Sequence, residues 1–149
     1  AMSAKRIILG LSAPDITNAI PQILAQVDSA ELPAAREKIV RAVLEREADV
    51  STYLGQGLAV PHARLEGIDR PVVIFAQSKE GIPVKGTNEK IYLVFMLLTS
   101  QSTPHFQVRL LARISSLMQS EYVVECLRKT QDPQALLEII RAADPAIVS

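Results

Sequence analysis

The chain holds two histidines, His62 and His105, and one cysteine, Cys126, so the choice of side chains for group-transfer chemistry is short. His62 follows Val60-Pro61. Proline locks its own φ and keeps the residue before it extended, so this imidazole is presented from a stiff backbone. An imidazole with an ordinary pKa of about 6.5 is mostly neutral at pH 7, and one ring nitrogen then offers its lone pair to phosphorus without a separate base. A phosphoryl group in transit spreads negative charge over its equatorial oxygens and calls for positive charge and N–H donors around it. His105 follows Thr103-Pro104, a helix start signal, and so falls in a first turn whose free N–H groups and dipole favour anions. Arg46 would bring a planar fork able to grip two phosphoryl oxygens at once.

His62 as nucleophile, with Arg46 and His105 as stabilisers, is therefore a candidate phosphohistidine site that calls for no metal and no cofactor. On the residues alone a plainer reading stays open for each. A histidine beside a proline in a turn also serves as a surface or hydrogen-bonded structural residue, and an arginine at a helix end also snorkels or pairs with a carboxylate such as Glu45 or Glu47. Two histidines and one cysteine at no metal-ligand spacing point away from structural zinc. Neither G-x-x-x-x-G-K-[ST] nor G-x-G-x-x-G occurs, so nucleotide binding has no support.

The elements that must position these residues alternate between short β-like runs and longer stretches of helical period, which predicts a mixed α/β or α+β architecture. Ile7-Ile8-Leu9 is the first run. Ser12, with Pro14 and Asp15 after it, predicts a helix start followed by Ile16, Ile20, Ile23, Leu24 and Val27 at helical spacing. A second helix is expected to open at Pro33, with an inward stripe of Ile39, Val43 and Arg46. Gly55 and Gly57 bracket a turn before Leu58-Ala59-Val60, which predicts a hairpin or short strand leading into His62. Two stronger strands follow, residues 72–76 and 91–98, the second apolar throughout and expected at the sheet centre, with a polar loop around Gly81, Pro83 and Gly86 between them. Thr103-Pro104 and Asp132-Pro133 open two further helices. Cys126 lies in an apolar-rich stretch, where a buried, inert thiol is expected.

A length of 149 residues with 48% hydrophobic side chains suits one domain, residues 1–149. Ala1 ahead of Met2 reads as the remnant of a removed tag, and residues 1–6 are expected to form a disordered start. Lys+Arg and Asp+Glu number 16 each, so no global field favours nucleic acid or an anionic membrane. The longest apolar run, Ile91 to Leu98, is far too short for a transmembrane segment, and one cysteine excludes an internal disulfide; a cytoplasmic domain is the expectation.

The segment Gly57-Leu58-Ala59-Val60-Pro61-His62-Ala63 resembles the phosphorylation-site signature of the fructose/mannitol-type (type-2) EIIA domains of the bacterial sugar phosphotransferase system. Glu47, Leu54 and Gly55 fall where that signature has an acidic or amide, an aliphatic and a small residue. Arg46-Glu47 followed by Ser51-Thr52 is similar to the family's Arg-Glu and Ser-Thr stretch, and residues 94–98 with His105 resemble its strand and second-histidine helix. The resemblance spans Ile7 to Arg141. It implies a mixed five-stranded sheet flanked by helices, a phosphoryl group received on His62 from HPr or a relative of it, stabilisation by Arg46 and His105, and a cysteine of an EIIB component as the next acceptor. It also implies an alternative: a regulatory module of the nitrogen branch, or one fused to a cation antiporter, whose phosphorylation state changes its contact with a transporter.

Overall fold

In the strand Lys90–Ser100, Leu93, Phe95 and Leu97 join one buried cluster while Val94, Met96 and Leu98 join another. Successive strand residues point to opposite faces, so a strand apolar on both faces must be covered on both. The computed structural model, which describes residues 1–149, shows this arrangement. Strands β1 (Ile7–Ile8), β2 (Tyr53–Gly55), β3 (Leu58–Ala59), β4 (His62–Leu65), β5 (Val72–Pro83) and β6 (Lys90–Ser100) form one mixed sheet of order β1-β5-β6-β3-β2, with β4 also paired to β6. β5 and β6 are antiparallel, whereas β1 on β5 and both β3 and β4 on β6 are parallel. Helices α1 (Ile16–Gln26) and α2 (Arg36–Asp49) cover one face; α3 (Pro104–Leu117), α4 (Glu121–Lys129), α5 (Pro133–Ala143) and α6 (Pro145–Val148) cover the other.

The sheet has six strands where five were expected, and Pro61 is the reason. β3 and β4 lie in line along β6, and the Pro61 carbonyl still accepts from Leu97 N at 3.0 Å, but proline has no N–H and divides the run in two. The Leu58–Ala59 half forms the expected hairpin with β2, turning through Gln56 and Gly57. Both have positive φ, 53° and 79°, as a two-residue hairpin turn demands. A side chain at Gly57 would also place its Cβ 3.0 Å from Tyr92 Cδ2.

Several element ends differ from the sequence-based expectation. α1 starts at Ile16, capped by the Asp15 carboxylate, which accepts from Asn18 N at 2.8 Å, so Asp15 and not Ser12 is the cap. α2 starts at Arg36, three residues past Pro33, and its buried stripe is Ile39, Val43 and Glu47 in place of Arg46. β5 runs seven residues beyond Ala76 to Pro83, with a register shift between Gln77 and Ile82; its exposed Lys79 and Glu80 carry no apolar alternation to reveal it. Residues 1–6 are packed: Met2 is 7% exposed, the Ala1 ammonium donates to Val148 O at 2.9 Å, and Ala4–Arg6 is a 3-10 turn. Cys126 is half-buried on α4. No helix is long and apolar enough to cross a membrane.

Candidate functional site

His62 opens β4 directly after Pro61. Residues alternate across a strand, so Ala63 and Leu65 enter the α1/α2 cluster while His62 and Arg64, two apart, project from the other face. His62 is paired in parallel register with Leu97 and is only 5% exposed. Its Nδ1 lies 2.8 Å from the Val60 carbonyl oxygen. A carbonyl can only accept, so Nδ1 carries the ring proton and Nε2 is left with the lone pair. Burial lowers the pKa of His62 below the ordinary imidazole value; the positive charges of Arg46 and Arg64 push it the same way, against the Val60 carbonyl and Glu47. The ring is thus held neutral, with one nitrogen tied back and the other free.

His62 lines an open groove of about 990 Å³ between the end of α2, β4 and the start of α3. Arg46 enters from the last turn of α2, where its Nη1 donates to Val50 O at 2.9 Å, and Arg64 enters from β4. Gln107 and Gln101 complete the polar lining near them, and Glu45 and Asp49 line the α2 side. Neither groove arginine has a carboxylate partner within salt-bridge distance; the chain's five salt bridges use other cations. A neutral imidazole beside two unneutralised guanidiniums is suited to hold a dianionic phosphoryl group. No group of three or more His, Cys, Asp or Glu is placed to hold a metal ion.

The structure brings Arg46 and His62 to one groove and places His105 differently. His105 is exposed on the first turn of α3, its ring tilted against Phe106 with centroids 4.6 Å apart, and it is not among the groove-lining residues. The buried stripe of α3 is Gln107, Leu110, Ile114 and Leu117. Two positions along a helix turn the side chain by about 200°, which sets His105 away from Gln107.

Below the groove, Glu47 holds the chain that leads into it. The buried Glu47 carboxylate accepts from Thr52 N at 2.9 Å and from Thr52 Oγ1 at 2.5 Å, and the Thr52 carbonyl in turn accepts from Val60 N at 3.1 Å.

A family model described as "Phosphoenolpyruvate-dependent sugar phosphotransferase system, EIIA 2" matches residues 1–143. The chain belongs to this family. It is 30% identical over 106 residues to the "PTS system fructose-specific EIIA component" of Haloferax volcanii, covering 70% of this chain and 69% of that protein. It is 27% identical over 137 residues to the "PTS system fructose-specific EIIABC component" of Bacillus subtilis, covering 91% of this chain but spanning only 22% of that longer protein. The "Nitrogen regulatory protein" of Bradyrhizobium diazoefficiens is 30% identical over 120 residues, covering 79% of this chain and 78% of that one. Among solved structures, the Escherichia coli complex of enzyme IIA mannitol with phosphorylated enzyme IIB mannitol aligns with a TM-score of 0.77 and 27% identity, covering 95% of this chain and 98% of that one. The EIIA fold and family expected from the His62 segment are thereby borne out.

Two groove residues of this EIIA domain, Arg64 and Gln107, were not among the sequence-derived candidates. Arg64 was within reach of sequence reasoning, because a residue two after a strand-borne His62 must share its face. Gln107 carried a weaker signal: a polar residue on the inward stripe of an otherwise apolar helix face.

Proposed function

We propose that this EIIA domain is a phosphocarrier whose His62 Nε2 accepts a phosphoryl group from the phosphohistidine of an HPr-like protein and passes it to a cysteine of an EIIB component. The observation that carries the reading is the 2.8 Å contact between His62 Nδ1 and the Val60 carbonyl, which leaves Nε2 as the available nucleophile. In the first step the Nε2 lone pair forms the new N–P bond, the donor's N–P bond breaks, and its electron pair returns to the donor imidazole. A donor ring protonated on its other nitrogen leaves neutral, and His62 becomes the charged phosphoimidazolium, so no proton need be supplied. In the second step a cysteine thiolate forms an S–P bond while the Nε2–P bond breaks and its pair returns to Nε2. Arg46 offsets phosphoryl charge from the α2 wall, and His105 adds a donor by turning from Phe106 as a partner docks. The proposed compartment is the cytoplasm.

Intact mass after incubation with phosphoenolpyruvate, enzyme I and HPr tests the reading. The wild-type chain is expected to gain one acid-labile phosphoryl group, lost again on adding an EIIB component, and His62→Ala is expected to gain none. Stable histidine-type phosphorylation of His62→Ala would remove the assignment.

A second reading has support in the likeness to a nitrogen regulatory protein. In it the phosphoryl group on His62 acts as a switch for contact with a transporter. The wild-type chain would then take up phosphate but fail to pass it to any EIIB component.

A further inference from the structure

We infer that Arg64 is a second phosphoryl-binding residue of the groove and that Gln107 is the positioning residue that holds its guanidinium there with the charge intact. The inference rests on the reading of His62 as the phosphorylated residue and extends it to the residues that would recognise the group.

Arg64 stands two residues beyond His62 on β4, so both side chains leave the same face of the strand and line the same groove. Its Nε donates to Gln107 Oε1 at 3.2 Å. Gln107 is 8% exposed on the sheet-facing stripe of α3, and a buried side chain is a fixed anchor. Because the bond is made through Nε, Nη1 and Nη2 make no hydrogen bond within the chain and remain free for two oxygens of an anion.

The chemistry of the anchor matters as much as its position. Arg113 and Arg141 are held by carboxylates, Asp144 and Glu138, which cancel their charge. The two groove arginines are each held by a neutral oxygen, Arg64 by an amide side chain and Arg46 by the Val50 carbonyl. A neutral acceptor orients a guanidinium and leaves its full charge for a third party, which here is the dianion expected on His62 Nε2. Glu45 and Asp49 also line the groove from α2, yet neither lies within ion-pair distance of Arg46 or Arg64.

A purely structural Arg64–Gln107 bond predicts that Gln107→Glu, which keeps the acceptor and adds an ion pair, is harmless or stabilising. The phosphoryl-binding role predicts the opposite for transfer. The wild-type chain, Arg64→Gln, Arg64→Lys and Gln107→Glu are phosphorylated with phospho-HPr, and the transfer rate is measured together with the pH titration of the phosphohistidine by ³¹P NMR. Arg64→Gln and Gln107→Glu are each expected to slow transfer about 10- to 100-fold, the usual effect of losing one charged hydrogen bond in the transition state, with Arg64→Lys between them and wild type. Both are also expected to raise the pH at which the phosphoryl group takes its proton, with urea midpoints near wild type. Wild-type rates and titration in Arg64→Gln and Gln107→Glu would overturn the inference while leaving His62 in place. Failure of the wild-type chain to accept a phosphoryl group on His62 would overturn both. If Arg64→Gln alone fails to fold, Gln107→Glu and Arg64→Lys decide the matter by the same readouts.

Discussion

Glu47 holds Thr52 at two points, its carboxylate accepting from the backbone N–H at 2.9 Å and from the hydroxyl at 2.5 Å. From there the connections run without a break to the His62 ring: Thr52 O accepts from Val60 N, and Val60 O accepts from His62 Nδ1. The end of α2 is thereby coupled through two backbone steps to the orientation of the imidazole. Glu47 is 8% exposed and Thr52 4%, so water does not readily replace either bond.

Glu47→Ala is therefore expected to lower stability by about 1–3 kcal/mol, the usual cost of leaving a buried donor unpaired. Glu47→Gln, which keeps one acceptor oxygen, is expected to lose less. Urea unfolding of the three proteins checks the order. Equal midpoints for Glu47→Ala and wild type would show that the pairing contributes nothing to the fold.

The proton on His62 Nδ1 predicts the linkage isomer. After phosphorylation, long-range ¹H–¹⁵N correlation of the His62 ring with ³¹P coupling is expected to place phosphorus on Nε2, with Nδ1 still protonated against Val60 O. Phosphorus found on Nδ1 would require the ring to abandon that bond, and would reject the orientation on which the proposed mechanism rests.

Burial and the neighbouring guanidiniums lower the His62 pKa in the folded state, and this has a defined consequence for stability against pH. Above about pH 6.5 the ring is neutral in both states and its titration adds no term. As the pH falls below that value, the unfolded chain binds a proton that the folded chain resists, and stability declines until the folded ring is protonated too. Urea midpoints of wild type and His62→Gln, compared from pH 7.5 down to 5, are expected to show the larger decline in wild type. Parallel curves would mean that folding does not perturb the ring.

The parts legible in the sequence were those with a local cause. Pro61 stiffens the approach to His62, and the run Leu93–Leu98 is apolar on both faces because helices cover both. The parts that escaped depend on partners distant in the chain. Helical spacing alone carries the inward stripe of α2 on to Arg46, yet a step of eight from Ile39 lands on Glu47, whose burial is tolerated only because Thr52 satisfies it. Residues 77–83 form an arm of β5 paired to β6 through a register shift, and pairing across a hairpin leaves no mark in the polarity of one strand. The Arg64–Gln107 bond joins residues 43 apart, so neither residue alone announces it.

Arg46 and His105 provide the comparison that separates placement in the groove from mere proximity along an element. Arg46 already lines the groove with His62, and the one hydrogen bond its side chain makes within the chain, to Val50 O, is solvent-exposed. Arg46→Ala is thus expected to reduce the rate of phosphoryl transfer by about 100- to 1,000-fold, the range found when one preorganised donor to a developing anion is lost. Its urea midpoint should shift by no more than about 0.5 kcal/mol equivalent, as for an ordinary surface substitution. His105 is exposed against Phe106, and in the proposed mechanism it turns away from that ring to reach the phosphoryl group, so part of any benefit is spent on that reorientation. His105→Ala should leave attack by His62 intact and slow transfer less than Arg46→Ala does. Single-turnover transfer from phospho-HPr, measured for both variants beside wild type, checks the ranking. A larger loss in His105→Ala would mean that partner docking, and not the resting groove, assembles the site.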